Sequence, residues 1–158
     1  RRPLWIDLGG IAKGYAVDTA LERMELDPAI QCRINAGGDL RVAGPEIERV
    51  LLQVPGHSTT DVPVIELAAG ALASSSGLLS RKRQRTHWVG PHVHGLTRRA
   101  MGTERFVSVV AGRCAVADAL TKVVLAGAAQ SASTLSGFNA TAYLYDRREG
   151  WRTLGGEQ

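Results

Sequence analysis

Apolar side chains recur at helical spacing in two parts of this chain, and each part predicts a helix. Between residues 11 and 25 they return every three or four positions, and Asp27-Pro28 ends the pattern. The second predicted helix covers residues 115–126. The expected apolar faces are Ile11, Tyr15, Ala16, Ala20, Leu21 and Met24 in the first helix and Ala119, Val123 and Ala126 in the second.

Shorter apolar or alternating runs predict strands. They lie at residues 4–8, 31–34, 40–43, 50–54, 62–67, 106–111 and 141–145. An apolar run over residues 68–73 is expected to break at the serines of residues 74–76. Because strands outnumber helices and short turns join many of them, the pattern favours an α+β fold over a doubly wound parallel sheet.

The composition fits one globular domain over residues 1–158, with 44% hydrophobic and 22% charged residues. We expect no membrane span, since no apolar run reaches the roughly 18 residues that a span needs. Two cysteines, Cys32 and Cys114, are too few for a disulfide scaffold. A single disulfide between them is one alternative, and two free thiols in a reducing compartment are the favoured one. With no secretion signal in the sequence, we expect a cytoplasmic protein.

The net charge of +4 is concentrated in one basic strip, residues 81–105, which holds seven cations and one acid, Glu104. Nucleic acid is therefore a candidate partner. However, Trp88 is the only aromatic residue in the strip, so base-stacking platforms are lacking and we expect no nucleic acid partner.

Two glycine-rich turns are candidates for anion binding. Gly9 and Gly10 precede the first helix, and Lys13 lies in its first turn, where a cation is unfavourable unless an anion is near. An ordinary turn with a solvated lysine is the alternative. Residues 35–39 form the second turn, which we interpret either as a hairpin with glycines at positive φ or as a second backbone cradle. The hairpin is the favoured reading.

Three further patterns have a functional and a structural interpretation. Residues 73–77 approach the G-x-S-x-G nucleophile elbow, but the chain order of acid and histidine disfavours that triad, and a serine turn donating hydroxyls to a ligand is preferred. Asp118 either caps the second helix, which is the default, or binds a metal. His92 and His94 would share a face on a strand, but surface histidines are commoner than a zinc site.

Four segments together resemble one family, the FAD:protein FMN transferases of the ApbE type. The segments are IDLGGIAKGYAVD at residues 6–18, INAGGDLR at 34–41, ASSSG at 73–77 and FVSVVAGRCAVADALTKVVLAG at 106–127. The resemblance implies a layered antiparallel sheet with packed helices. It also implies that the chain corresponds to the C-terminal part of such a protein, so that an N-terminal segment or a second chain would complete the fold.

The resemblance implies transfer of FMN from FAD to a Ser or Thr hydroxyl of an acceptor protein, with release of AMP and assistance from Mg²⁺. A catalytically weakened or inactive FAD-binding relative is the alternative. Lys13 and His92 are the implied catalytic residues, and the implied metal ligands are Gly10, through its carbonyl, Asp118 and Thr121. The implied FAD-binding residues are Gly9, Gly10, Lys13, Asn35, Gly37, Gly38, Asp39, Ser75, Ser76 and Gly77.

Two departures from the family pattern affect these expectations. Lys122 stands at the threonine position of D-A-x-x-T, and Thr121 comes one residue early, a turn of about 100° on a helix. We therefore hypothesise that Lys122 pairs with Asp118 and replaces Mg²⁺ or weakens its binding. In the family's H-x-x-D-P-R-T-G turn, His92 matches the histidine and Gly95 stands in place of the acid. His87 with Gly90-Pro91 is the alternative register.

Overall fold

The computed structural model describes residue 3 and residues 6–54, 61–77, 82–102 and 104–156. The strands are β1 (Cys32–Ala36), β2 (Asp39–Ala43), β3 (Glu48–Leu51), β4 (Val64–Leu67), β5 (Gly70–Ser76), β6 (Lys82–Gln84), β7 (His87–Val89), β8 (Arg105–Ala111), β9 (Thr141–Asp146) and β10 (Gly150–Gly155). The helices are α1 (Ala12–Arg23), α2 (Cys114–Gly127) and α3 (Ala132–Gly137), with a short 3-10 turn at Ala128–Gln130.

Six strands form the central sheet in the order β1-β2-β5-β8-β9-β10, and every neighbouring pair is antiparallel. The hairpins β3–β4 and β6–β7 form two smaller sheets. This architecture confirms the α+β prediction of a layered antiparallel sheet with packed helices. Within the described residues no helix is long and apolar enough to cross a membrane.

The two faces of the sheet bury separate apolar clusters, because successive side chains of a strand point to opposite sides. In β8, Val107 and Val109 face α2, whereas Phe106 faces the β3–β4 hairpin. The first cluster also holds Leu120 and Val124 of α2. The sheet is therefore covered on both sides, by helices on one and by a hairpin on the other.

Several sequence predictions are wrong in detail. The serines of residues 74–76 continue β5 instead of ending it, pairing with β8 from Ser74↔Ser108 to Ser76↔Phe106. Strand β3 ends at Leu51 instead of residue 54. Residues 6–8 of the predicted first strand lie outside any strand, and residues 4 and 5 lie outside the described residues. The elements β6, β7, α3 and β10 were not predicted.

The predicted apolar faces of both helices are also wrong, although the helices exist. Tyr15 is 61% exposed, and α1 buries Gly14, Val17 and Asp18 instead. Helix α2 buries Ala117, Leu120, Thr121 and Val124, whereas Val123 is exposed. The error arises because each buried face includes glycine or polar residues, which a hydrophobic pattern does not mark.

The helices cap each other through these buried polar residues. Neither Ile11 nor Arg113, the residues that precede α1 and α2, provides a capping side chain. Instead Asp18 of α1 accepts hydrogen bonds from the N–H groups of Cys114 (2.9 Å) and Ala115 (3.0 Å) at the start of α2. Asp118 of α2 accepts one from Gly14 N–H (3.3 Å) in the first turn of α1. The default prediction, that Asp118 caps its own helix, is therefore wrong.

Candidate functional site

The predicted glycine turns, the serine strand and the histidine meet at one cleft of about 610 Å³, which we call the first cleft. Its polar lining consists of Gly9, Lys13, Asn35, Gly37, Gly38, Ser74, Ser75, Ser76, His92 and Lys122, together with Gln53. A second cleft of about 620 Å³ adjoins it and shares Gly9, Pro91, His92 and Lys122. Gly10, Val123 and Ala126 line this second cleft.

Lys13 lies in the first turn of α1, where its ammonium group reaches the first cleft. Its Nζ donates to Asp39 Oδ2 at 2.6 Å, with Asp39 fully buried and Lys13 half-exposed. Burial raises the pKa of Asp39, the hydrogen bond and charge of Lys13 act against this rise, and Asp118 adds to it. Among the residues that the structure describes, Asp39 Oδ1 has no hydrogen-bond partner. Asp39 binds the Lys13 ammonium from the protein interior, and Asp39 itself does not line the first cleft.

The turn between β1 and β2 is a hairpin, as the favoured reading predicted. Gly37 and Gly38 both have positive φ (62° and 97°), which a two-residue type I′ connection requires. Gly38 N–H donates to Asn35 Oδ1 (3.1 Å), and Gly9 N–H donates to Asp7 Oδ1 (2.8 Å). One N–H group of each glycine turn is therefore engaged within its own turn.

The serine hydroxyls of β5 are likewise part of an internal network. Ser74 Oγ is hydrogen-bonded to Ser108 Oγ (2.6 Å), and Ser75 Oγ to Thr121 Oγ1 (2.8 Å). Thr121 donates its single hydroxyl proton to the Asp118 carbonyl (2.7 Å), so Ser75 must be the donor to Thr121. In this arrangement Ser75 has no free hydroxyl proton for a ligand.

Lys122 extends from α2 to the boundary between the two clefts. Its Nζ donates to a carboxylate oxygen of Asp118 and to the Asp118 carbonyl, the latter at 3.1 Å. Asp118 is buried, and the side chain of Lys122 is 24% exposed. The expected pairing of Lys122 with Asp118 is therefore present, while Asp118 and the buried Thr121 line neither cleft.

His92 lies between the two clefts on the segment that links β7 to β8. Burial lowers its pKa, the charge of Lys122 lowers it further, and Asp118 opposes this. A lowered pKa keeps the imidazole neutral near pH 7, the state that can accept a proton. His94 is used differently: its Nδ1 accepts N–H bonds from Leu96 and Thr97 at 3.2 Å. Neither histidine lies in a named strand, and the side chain of His87 lies outside the described residues.

One wall of the first cleft is apolar and was not predicted. It consists of Leu40, Val50, Leu51, Leu52, Leu72 and Phe106, from the hairpin β3–β4 and the central sheet. The alternation over residues 50–54 was the available signal, because it marks a hairpin with one apolar face. Gly77, predicted as a binding residue, lines neither cleft, and its N–H donates to the Arg105 carbonyl at 3.0 Å.

The matching family model is that of the ApbE family, and it covers residues 1–144. This chain belongs to the ApbE family. No curated protein sequence shows significant similarity to it.

Solved ApbE structures share the fold. An ApbE protein from Thermotoga maritima superposes with a TM-score of 0.79 at 25% identity, covering 96% of this chain and 51% of that one. The flavin transferase ApbE from Vibrio cholerae gives 0.72 at 21% identity, with coverages of 98% and 51%. The flavinyl transferase ApbE from Pseudomonas stutzeri gives 0.72 at 18%, with 95% and 49%. The chain thus spans about half the length of the ApbE structures that it matches.

The Mg²⁺ expected from the ApbE resemblance does not fit the groups predicted to bind it. Both carboxylate oxygens of Asp118 accept hydrogen bonds, one from Lys122 and one from Gly14 N–H. The Thr121 hydroxyl is enclosed between the Asp118 carbonyl and Ser75. Within the described residues no group of three or more His, Cys, Asp or Glu side chains could hold a metal.

Neither cysteine lines the first or the second cleft. Cys32 and Cys114 are both free thiols, so the open alternative of a disulfide is not realised. Burial, assisted by the nearby carboxylates of Asp39, Asp18 and Asp118, raises the pKa of Cys114 to about 12. Its thiol stays protonated at neutral pH and cannot act as a nucleophile.

Proposed function

We propose that this protein binds FAD in the first cleft and transfers its FMN part to a Ser or Thr hydroxyl of an acceptor protein, releasing AMP. The observation that carries the proposal is the convergence of Lys13, His92 and Lys122 on a single cleft that also has an apolar wall. A cleft of about 610 Å³ falls within the roughly 300–1,000 Å³ usual for ligand sites. Family membership over residues 1–144 supports the same substrate class.

The two chemical parts of FAD correspond to the two parts of the cleft. The pyrophosphate carries concentrated negative charge, for which the ammonium groups of Lys13 and Lys122 are suited. The planar flavin is largely apolar and suits the wall that includes Leu52, Leu72 and Phe106. Ser75, as an acceptor, suits an N–H or O–H group of the flavin or its ribityl chain rather than a phosphate oxygen.

The transfer is a substitution at the flavin-side phosphorus. The acceptor oxygen forms a bond to that phosphorus, the bridging P–O bond to the AMP side breaks, and the hydroxyl proton leaves. Neutral His92 is our candidate for the base that receives this proton. Charge grows on the phosphate oxygens during bond exchange, and the two lysines stabilise it where it develops.

The decisive experiment incubates the protein with FAD and an acceptor that carries a Ser or Thr target site. Mass spectrometry then follows covalent FMN on the acceptor, and chromatography follows AMP in equal amount. We expect His92→Ala to lose at least about 100-fold in transfer rate, the usual contribution of a general base. His94→Asn, which keeps an acceptor for the turn at Leu96 and Thr97, is the matched control and should retain activity.

Two outcomes separate the transferase from its alternative. FAD bound by the protein without transfer or AMP release would support a flavin-binding relative, because Gly95 stands where the family turn has an acid. Absence of FAD binding would contradict both readings.

A further inference from the structure

Lys122 stands at the family's threonine position, beside two of the other positions from which the resemblance implies metal ligands, Asp118 and Gly10. Its Nζ contacts the carboxylate and the carbonyl of Asp118. Its aliphatic chain lies against Gly10, where an added Cβ would be 3.5 Å from Lys122 Cε. Thr121 directly precedes Lys122 on the helix, and its hydroxyl donates to the same Asp118 carbonyl. The ammonium therefore bonds directly to Asp118, one of the expected metal ligands.

A divalent cation and this ammonium are incompatible neighbours. Mg²⁺ requires near-octahedral oxygen ligation at about 2.0–2.1 Å. Here the Asp118 oxygens are taken by N–H donors from Lys122 and Gly14, and a second cation beside Lys122 would meet its positive charge directly. The buried location adds to that repulsion, because solvent screens it little.

A second lysine is held in the same manner at the same cleft. Lys13 is bound to the buried Asp39, as Lys122 is bound to the buried Asp118, and both lysines line the first cleft. Each buried carboxylate restricts the motion of its lysine, so less conformational entropy is lost when an anion binds. Two such cations on one cleft match the two charged groups of a diphosphate.

We propose that Lys122 serves as a built-in cation in place of Mg²⁺, and that Lys122 and Lys13 together bind a diphosphate without any divalent metal. The identity of that diphosphate as part of FAD rests on the proposed function. The replacement of the metal by Lys122 does not, because it concerns only residues of this chain.

Cation binding tests the replacement without any flavin. Free Mn²⁺ is measured by electron paramagnetic resonance while the protein is titrated. We expect the wild-type protein to bind no stoichiometric Mn²⁺, and Lys122→Thr, which supplies an oxygen ligand in place of the ammonium, to bind it at least about tenfold more tightly. Asp118-dependent Mn²⁺ binding by the wild-type protein would overturn the proposal. Circular dichroism verifies that each variant is folded.

Diphosphate binding tests the two-lysine site. Inorganic pyrophosphate and FAD are titrated calorimetrically in EDTA and again in Mg²⁺. The wild-type protein should already bind both ligands in EDTA, whereas Lys122→Met should lose about tenfold or more in EDTA, the size of one charge-assisted hydrogen bond. Lys82→Met, which removes an exposed lysine of β6, is the control and should bind as the wild-type protein does.

The outcomes distinguish this proposal from the proposed function. Pyrophosphate binding in EDTA with no FMN transfer would sink the transferase and leave the lysine site intact. FMN transfer that stops in EDTA would support the transferase and contradict the replacement of Mg²⁺ by Lys122. Failure of pyrophosphate to bind in either buffer would overturn the two-lysine site.

Discussion

Two buried aspartates determine where the lysines of the first cleft point. Asp39 and Asp118 each place an acid in the interior, and each accepts a hydrogen bond from one ammonium group. Burying a carboxylate is costly, and the raised pKa of Asp39 shows that cost. In return, the Asp39 carboxylate anchors Lys13 at the cleft.

Replacing Lys13 by Met should lower the stability of the protein in a pH-dependent way. The change leaves Asp39 charged and buried without its partner, so we expect the free energy of unfolding to fall by about 1–3 kcal/mol at pH 7. The loss should shrink as the pH is lowered, because Asp39 then takes up a proton and its buried charge disappears. Urea unfolding at pH 7 and pH 5 measures both effects, with Lys82→Met as the control.

The double variant Lys13→Met/Asp39→Asn completes this test. It should recover much of the lost stability, since no buried charge remains, but it should not recover the affinity for FAD. An equal loss of stability in the single and double variants would show that Asp39 is not responsible.

Asp146 at the end of β9 has a lowered pKa, in contrast to Asp39, and we expect its charge to stabilise the fold at neutral pH. The Arg148 N–H bond (3.0 Å) and the Arg105 guanidinium (2.9 Å) lower the pKa of its carboxyl. A carboxylate with a lowered folded pKa stabilises the fold above its unfolded value of 3.8, and this contribution is lost as the pH falls through the folded value. Asp146→Asn should therefore cost about 1 kcal/mol at pH 7.

Paired urea denaturations of wild-type protein and Asp146→Asn, at pH 7 and below the folded pKa, check this expectation. The difference between the two proteins should disappear in acid, because the side chain of residue 146 is then uncharged in both. A difference that persists in acid would point to packing rather than charge.

At the scale of whole elements, the contact between α1 and α2 positions the functional side chains. Each helix provides the acid that caps the other, through Asp18 and Asp118. The close approach requires a glycine at position 14, where an added Cβ would lie 2.4 Å from the Cys114 carbonyl oxygen. The same contact places Lys13 and Lys122, one from each helix, on the same cleft.

Gly14→Ala should therefore destabilise the protein although alanine is the better helix former. The new methyl group would meet backbone rather than a flexible side chain, so we expect a loss of about 1–3 kcal/mol in the free energy of unfolding. Gly137→Ala in α3 is the matched control, because no atom of the described part of the chain lies within 4 Å of its added Cβ, and it should be neutral or slightly stabilising. Equal unfolding midpoints for the two variants would contradict the close helix contact.

At the scale of the whole molecule, the sequence predicted the fold class and the motif positions better than the contacts. The helices and the central strands follow from period and turn residues, which depend on local sequence. The buried faces of α1 and α2 could not be found this way, because Gly14, Asp18 and Thr121 are buried through contacts with distant segments. Likewise, no local sequence pattern indicates that Asp39 is buried while Lys13, its ion-pair partner, lines the cleft.

The cleft lies where the hairpin-covered face of the sheet meets the N-terminal end of α1, so a ligand that fills it should stabilise the whole domain. Ligand bound only to the folded state adds about 2.7 kcal/mol at 100 times its Kd, which corresponds to a rise in Tm of about 5–10 °C for a domain of this size. If the proposed function is right, FAD should give a larger shift than FMN or AMP at equal concentration, because only FAD carries both a flavin for the apolar wall and a diphosphate for the two lysines. Differential scanning fluorimetry in EDTA measures the three shifts, with Lys122→Met as the variant in which the advantage of FAD should shrink. If AMP shifted Tm as much as FAD, the apolar wall would have no part in binding.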